Sequence, residues 1–282
     1  MLRQRVITAL VLVAFLLGSL YATSPWPFAA LTLVLMAAAG WEWGRLNQAA
    51  PTLALAMGAA VALASAAAWA AGWAVRAPAW LWVSALVLWV AGGALALRRG
   101  PTAWSQLPRM ARWALGLLAI WLAWVALAQA RSVGINFMLS VLCLVWMADV
   151  AAYFGGRAFG RRKLAPTISP GKSWEGVWSG LAGVMLLALF WIGLDGRMNA
   201  DGLSLYSRLF QQWGTAGLVA TLALLSGLSV VGDLMESLIK RAAGAKDSSQ
   251  LLPGHGGVLD RVDALLPVLP AAMAVVAIGG LA

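Results

Sequence analysis

Charged residues are scarce in this sequence. Only 11% of its 282 residues are Asp, Glu, Lys or Arg, whereas about 25% is usual for a soluble domain. Hydrophobic residues make up 62% of the chain, which leaves too little polar surface to cover a water-soluble fold. The composition therefore excludes an ordinary soluble domain and predicts an integral membrane protein.

Cysteine and histidine are almost absent, with one residue of each. A single cysteine, Cys143, excludes an internal disulfide framework and a cysteine-based zinc cluster. We interpret it as a small buried hydrophobe. With His255 as the lone histidine, no set of His and Cys ligands is available for zinc.

Acidic residues are missing from most of the first half. Glu42 is the only acid before residue 140, and nine follow from Asp149 onward. We therefore interpret residues 1–134 as a transmembrane scaffold of about five helices. Residues 135–282 are interpreted as the catalytic region, with cytoplasmic loops at 156–173 and 240–261.

Long apolar runs dominate what is present. A helix needs about 20 apolar residues to cross the hydrocarbon core, and the chain is predicted to be an all-α polytopic membrane protein with about nine such helices. The first run follows "MLRQR", and we expect a retained helix rather than a cleaved signal peptide. The predicted spans are 6–22, 28–46, 52–75, 79–97, 113–130, 135–155, 175–194, 214–239 and 262–281.

Positive charge is distributed unevenly between the two sides that this topology defines. Of the 20 Lys and Arg residues, 16 fall on one side and four on the other. Because cytoplasmic loops are enriched in Lys and Arg, the N-terminus is predicted to be cytoplasmic and the C-terminus outside. Topology explains most of the excess, and binding of anionic lipid or nucleotide phosphates remains a second interpretation. Asp195 and Asp201, in the outer loop 195–213, are interpreted as solvated.

The first polar cluster is "DVAAYFGGRAFGRRKLAPTISPGKSWEG". Asp149 and Tyr153 are four residues apart and should share a helix face. The cations that follow, from Arg157 to Lys163, indicate either a phosphate-binding mouth or a loop that only fixes topology. Ser173 is predicted to cap the next helix, with Glu175 in its first turn. "SPGKS" lacks the spacing and the preceding strand of a nucleotide-binding P-loop.

The second polar cluster joins the last two spans. Asp233, Ser237 and Lys240 form one stripe on a helix, and Glu236 can pair with Lys240. "PGHGG" cannot continue a helix and predicts a tight loop with exposed N–H groups. Asp260 and Asp263, three residues apart, can meet on one helix face.

Three carboxylates are thus predicted to lie at facing ends of neighbouring spans: Asp233, Asp260 and Asp263. Like charges brought together need protonation or a bridging cation. Oxygen ligands beside phosphate-binding cations favour Mg²⁺. The pattern predicts metal-assisted phosphoryl or nucleotidyl transfer at the membrane face.

The residues from Ser237 to Asp263 also resemble the signature of the phosphatidate cytidylyltransferases, or CDP-diacylglycerol synthases. The pattern is Ser237-x-Ile239-Lys240-Arg241, then Lys246-Asp247, then Pro253-x-His255-Gly256-Gly257-x-x-Asp260-Arg261-x-Asp263. The segment around 149–176 is similar to the same family's upstream segment. The resemblance covers roughly residues 145–281, whereas the first half matches only in being multi-span.

The resemblance implies that CTP and phosphatidic acid give CDP-diacylglycerol and pyrophosphate. It also implies Mg²⁺, a cytoplasm-facing site in the inner membrane and a homodimer in many members. No nucleic-acid partner is expected, because the cations lie in short loops between apolar segments. Whether a second cation binds is left open. Asp233, Asp260 and Asp263 are the implied metal-site acids, and Lys240 completes the predicted catalytic set. The predicted substrate-binding residues are Arg157, Arg161, Lys172, Ser237, Arg241, Lys246, His255, Gly256, Gly257 and Arg261.

Two of these expectations concern individual roles. Arg157 and Arg161 are predicted to hold the lipid headgroup. The predicted phosphate clamp consists of Lys172, Lys240, Arg241 and Lys246. His255 is expected to orient a phosphate or to stabilise its loop, and not to act as a general base. Two alternative functions remain at this point: a CTP-dependent polyprenol or phytol kinase, and a transporter or channel that uses the intramembrane acids.

Overall fold

The computed structural model describes residues 11, 13–197 and 200–280, and it is a bundle of long helices. A helical segment at 13–20 (α1) comes first. The elements that follow are α2 (Trp26–Leu46), α3 (Pro51–Ala70), α4 (Ala79–Val87), a π-helical turn (Leu88–Gly92), α5 (Gly93–Gln106), α6 (Arg109–Val133), α7 (Ile135–Phe159), β1 (Lys163–Ala165), β2 (Ser169–Ser173), α8 (Trp174–Asp195), α9 (Leu205–Ala242), α10 (Leu259–Val262) and α11 (Leu265–Ile278).

Seven helical stretches among the described residues are long and apolar enough to cross a membrane. They correspond to the last seven predicted spans. The predicted span 28–46 forms α2, which is not among the seven; Glu42, Arg45 and two tryptophans lower the hydropathy of its second half. Residues 6–10 and 12 of the predicted span 6–22 lie outside the described residues, and its residues 13–20 form α1. The chain is therefore a mostly helical membrane protein, and the count of nine stays a prediction.

Two connections differ from the sequence-based expectation. The predicted loop 156–173 begins as the last turn of α7 and then folds into an antiparallel hairpin, with Lys163 opposite Ser173 and Ala165 opposite Ser169. The all-α prediction was wrong for this short stretch, because "SPGKS" itself forms the second strand. The predicted loop 195–213 is helical from Leu205, and α9 kinks at Gly214, where φ is 63°.

Asp195 and Asp201 are not simply solvated, as the sequence suggested. Asp195 accepts hydrogen bonds from Ser204 N, Ser204 Oγ, Ser207 Oγ and Asn136 Nδ2. Asp201 accepts from the backbone N–H groups of Ile135 and Asn136 at the start of α7. These two carboxylates join α7, α8 and α9 at one end of the bundle.

The last helix is the most enclosed. Every residue of α11 from Leu265 to Val276 is buried, and α11 packs against α4, α6, α7 and α9. Helices α7 and α8 pack closely, since a Cβ at Gly180 would lie only 2.8 Å from the Ala148 carbonyl oxygen. Small residues at such contacts are the usual means of close helix packing in membranes. The packing places the facing ends of α7, α8, α9 and α10 around one cavity.

Candidate active site

A cavity of about 580 Å³ lies among α7, the hairpin, α8, α9 and the α10–α11 junction. Its polar lining combines carboxylates, cations and hydroxyl groups. The lining residues that carry charge are Asp149, Arg157, Lys172, Asp233, Asp260, Arg261 and Asp263. The two polar clusters of the sequence, 149–176 and 233–263, therefore meet in one place, although about 85 residues of chain separate their centres.

Three of the cavity carboxylates interact electrostatically with one another. Asp263 interacts with Asp233 and Asp149, and Asp149 interacts with Asp233. The close approach of α9 to the α10–α11 junction depends on Gly232, since a Cβ there would overlap the Asp263 carbonyl oxygen. Asp149 and Tyr153 both line the cavity, which confirms that they share a helix face.

The hairpin supplies the cation that faces these carboxylates. Lys172 Nζ lies 2.5 Å from Asp233 Oδ2, and both side chains are about 30% exposed (27% and 31%). Ser237 Oγ lies 3.4 Å from Asp233 Oδ1. The hairpin is held by Glu175, whose carboxylate accepts from the backbone N–H groups of Arg161 and Arg162. Ser173 Oγ accepts from Gly176 N, so the predicted helix cap is confirmed.

Lys240 is enclosed by two carboxylates. Its Nζ lies 2.6 Å from Glu236 Oε2 and 2.6 Å from Asp260 Oδ1, and its side chain is 14% exposed. The predicted Glu236–Lys240 pair is thus present. The ammonium group pairs with both acids and lies outside the cavity lining.

Asp260 fixes the loop that precedes it. Its Oδ2 accepts hydrogen bonds from Ser248 N at 2.9 Å, Ser248 Oγ at 2.8 Å and Gly257 N at 2.8 Å. Together with Lys240 on Oδ1, these donors engage both carboxylate oxygens. Asp260 therefore differs from Asp233 and Asp263, although all three border the cavity.

"PGHGG" forms the predicted tight loop. Leu252 N donates to Gly256 O, and His255 N donates to Leu252 O, both at 2.8 Å. Gly256 has φ of 82°, a conformation that disfavours other residues. A Cβ at Gly257 would overlap Ser248 Oγ and Glu42 Oε1. These glycines are needed because side chains close over the loop backbone.

His255 contributes its backbone to the loop. Its carbonyl oxygen accepts from Arg261 Nε at 3.0 Å and Arg261 Nη2 at 2.6 Å. The side-chain Nδ1 is buried and has no hydrogen-bond partner among the described residues. The imidazole lies outside the cavity lining.

The remaining predicted cations divide into two groups. Arg157 lines the cavity, with Nη1 3.4 Å from the Tyr153 hydroxyl. Arg161, Arg241 and Lys246 are exposed and lie outside the lining. Arg241 Nε donates to Ile168 O at 3.4 Å, next to the hairpin. The structure therefore brings Arg157, Lys172 and Arg261 to the cavity and leaves the other three exposed outside its lining.

Sequence reasoning passed over two acids near this site. Asp149 lines the cavity but was left out of the predicted metal set. Glu42, on α2, accepts hydrogen bonds from the loop between α9 and α10 and is completely buried. The available signal was its isolation as the only acid of the first half, since a carboxylate in an apolar segment is costly unless it has partners.

The carboxylate arrangement can be compared with the needs of a divalent cation. Among the described ranges, no group of three or more His, Cys, Asp or Glu residues is placed to hold a metal by itself. Mg²⁺ commonly uses only one or two carboxylates together with substrate phosphates. Asp233 and Asp263 provide such a pair beside phosphate-compatible cations, so the residues present fit an ion that binds with its substrate.

Similarity to known proteins extends over nearly the whole chain. The model of the cytidylyltransferase family matches residues 3–279. A phosphatidate cytidylyltransferase of Pseudomonas aeruginosa is 38% identical over 275 residues, which are 96% of this chain and 95% of that protein. One from Haemophilus influenzae is 51% identical over 142 residues, 49% of this chain and 44% of that protein. One from Brucella suis is 45% identical over 133 residues, 47% of this chain and 44% of that protein.

Proposed function

This chain belongs to the cytidylyltransferase family, and from that premise we propose that it transfers CMP from CTP to phosphatidic acid. The products are CDP-diacylglycerol, a precursor for phospholipid synthesis, and pyrophosphate. The observation that carries the proposal is the Lys172–Asp233 contact, in which the hairpin and α9 place opposite charges inside one cavity. A triphosphate needs cations, and a metal that accompanies it needs carboxylates.

The reaction requires positioning more than acid–base chemistry. A phosphate oxygen of phosphatidic acid attacks the α-phosphorus of CTP, and the bond between that phosphorus and the bridging oxygen to the β-phosphorus breaks. Pyrophosphate leaves with the electron pair. Because the nucleophile is already anionic at neutral pH, no strong base is required, which agrees with the position of His255 outside the cavity lining.

We assign the cavity cations to the phosphates. Arg157, Lys172 and Arg261 are placed to hold the phosphates of CTP or of the lipid. Arg157 lies next to exposed Tyr153 and Phe154 on α7, which supports its predicted contact with the lipid headgroup. Arg161, Arg241 and Lys246 are exposed and lie outside the cavity lining, and their predicted contacts with substrate stay predictions.

Mg²⁺ is the proposed cofactor. Asp233 and Asp263 would hold it, with Asp149 near both. When bound, the ion neutralises charge on the triphosphate and on the departing pyrophosphate. Asp260 and Lys240, predicted as catalytic, are proposed to act by fixing the loop that ends at Gly257. Ser237 is proposed to orient Asp233.

The membrane arrangement is proposed as predicted from charge. The nine-span topology places the cavity at the cytoplasmic face of the inner membrane, with the N-terminus cytoplasmic and the C-terminus outside. The seven candidate spans and the position of the charged cavity at one set of helix ends support this proposal. The homodimer implied by the family resemblance stays a prediction.

A labelling experiment tests the reaction. Purified protein in detergent would receive phosphatidic acid and CTP labelled at either the α- or the γ-phosphate, with Mg²⁺ or with EDTA. We expect α-label in the lipid product, γ-label in pyrophosphate and no transfer in EDTA. Label from the γ-phosphate in lipid would instead indicate a kinase, and acceptance of polyprenol but not phosphatidic acid would contradict the proposed substrate.

A further inference from the structure

Glu42 is a buried carboxylate that belongs to α2, far from the cavity in sequence. It is 0% exposed. Its Oε1 accepts from Ser249 Oγ at 2.5 Å and Val258 N at 2.9 Å. Its Oε2 accepts from Leu259 N at 2.7 Å and Ser248 Oγ at 3.3 Å. All four donors therefore come from one segment, residues 248–259, more than 200 positions later in the chain.

The same segment is held from its other side by Asp260. Two consecutive amides point to different acids, since Gly257 N donates to Asp260 and Val258 N donates to Glu42. The Ser248 hydroxyl lies between them, 2.8 Å from Asp260 Oδ2 and 3.3 Å from Glu42 Oε2. Because a hydroxyl has one proton, it can donate to only one acid at a time. The loop is thus fixed between two carboxylates.

Glu42 has no cation that would explain its burial. Among the ion pairs formed by the described residues, none includes Glu42. A buried carboxylate is costly unless its oxygens are fully hydrogen-bonded. Here hydroxyl and amide donors from the loop satisfy both oxygens, so the acid and the loop require each other.

We propose that Glu42 is a positioning residue that orders the 248–259 loop and thereby places Asp260, Arg261 and Asp263 at the cavity. The role follows from the order of residues along the chain. Leu259 N donates to Glu42, and the next two residues, Asp260 and Arg261, both line the cavity. This inference rests on the proposed function only for its kinetic consequence, because the order of the loop can be measured without substrate.

The decisive variant is Glu42→Gln. Glutamine has the same shape, but its amide nitrogen would face two of the four donors whichever way the group is turned. We expect the 248–259 loop to become mobile, and kcat/KM for CTP transfer to fall about 10- to 100-fold, as for other residues that orient a site from behind. Ser249→Ala, which removes one hydrogen bond to Oε1, should give a smaller change of the same kind and keeps the buried carboxylate.

Asp195→Asn is the matched control. Asp195 also accepts four hydrogen bonds. It ends α8, whereas the cavity lining on that helix stops at Leu181, 14 residues earlier and therefore about 20 Å away. This variant should lower the melting temperature without changing loop mobility or kcat/KM per folded enzyme. Comparison with Asp195→Asn therefore shows whether the effect of Glu42→Gln comes from lower overall stability or from a disordered loop.

Loop order is read from a nitroxide at exposed Gln250, introduced as Gln250→Cys in a Cys143→Ala background of the full chain. The expected result is an immobilised spectrum in this parent and in Asp195→Asn, and a mobile one in Glu42→Gln. Parental mobility and parental kcat/KM in Glu42→Gln would overturn the inference. The parent could also transfer no CMP while the nitroxide becomes mobile in Glu42→Gln. In that case the proposed function fails and the positioning role stands.

Discussion

Lys172 shows how a single residue links the two polar clusters. The lysine lies on β2, and its ammonium group contacts Asp233 on α9. A surface ion pair contributes little to stability. The contact matters through its place, because the same cation faces Asp149 and Asp263 across the cavity.

Replacing Lys172 by Met should impair catalysis more than folding. We expect kcat/KM for CTP to fall roughly 100-fold, as when one electrostatic contact to a charged transition state is removed. Arg99→Met, which removes an exposed cation on α5, should leave transfer unchanged. Steady-state kinetics on protein of equal melting temperature measures both, and equal activity of the two variants would contradict the role of Lys172.

Asp263 and Asp260 should lose activity for different reasons. Asp263→Asn removes a proposed Mg²⁺ ligand, so activity should fall while the nitroxide at Gln250 stays immobile. Asp260→Asn replaces the acceptor of Ser248, Gly257 and Lys240, so activity and loop order should be lost together. Parallel titrations with Mg²⁺ and nitroxide spectra distinguish the two. Parental turnover in Asp263→Asn would show that the metal assignment is wrong, and an immobile nitroxide in Asp260→Asn would contradict the loop-fixing role of Asp260.

At the scale of elements, the loop between α9 and α10 is the segment that the whole site depends on. Its backbone is enclosed by Glu42, Ser248 and Asp260, and glycine is the residue that leaves room for them. Val258 and Leu259, at the end of the loop, join the hydrophobic core, and hydrogen bonds to Asp260 and Glu42 hold Ser248, Ser249 and Gly257. A side chain added at Gly257 and the removal of the Glu42 or Asp260 carboxylate should therefore both disorder the loop.

Gly257→Ala tests the space around this loop. The added methyl group would overlap Ser248 Oγ and Glu42 Oε1, so the loop must shift and transfer activity should drop at least about tenfold. Gly193→Ala in α8 is the control, because its Cβ would meet no atom within 4 Å, and alanine favours a helix. Activity assays and the nitroxide at Gln250 would report the difference. Full activity of Gly257→Ala would mean that the loop tolerates displacement.

At the scale of the whole molecule, the two halves of the chain are joined at the site. Helix α2 holds the loop through Glu42, and α4 and α6 pack against α11. These contacts therefore join the predicted scaffold, residues 1–134, to the predicted catalytic region, residues 135–282. The charged cavity lies at one set of helix ends, so the orientation of the protein decides which side of the membrane the cavity faces.

Cysteine labelling tests that orientation. In a Cys143→Ala background, Gln250→Cys should react with a membrane-impermeant maleimide only in inverted vesicles, because its loop is predicted to be cytoplasmic. Ala200→Cys, in the exposed connection before α9, should react in intact spheroplasts. The opposite pattern would invert the proposed topology, and labelling of both positions from one side would refute the odd number of spans between them.

Much of this protein was predictable from its sequence. Apolar runs determine membrane helices because each residue in lipid contributes through its own hydropathy, and seven predicted spans are found as helices. Short-range pairs such as Glu236–Lys240, and the cap at Ser173, follow from helix geometry within one or two turns. The signature from Ser237 to Asp263 indicated the family, which the match over residues 3–279 confirms.

Only the tertiary structure decided which partners charged groups have in distant parts of the chain. The contacts of Lys172 with Asp233, and of Glu42 with the 248–259 loop, join segments tens to hundreds of residues apart. The hairpin also escaped prediction, because its five-residue second strand has no alternating apolar pattern. Sequence spacing determines neighbours along a helix, whereas the partner of a buried charge depends on how distant helices pack. For that reason the sequence identified Asp233, Asp260 and Asp263, whereas only the fold added Asp149 and Glu42 and separated the acids that face the cavity from those that hold its loop.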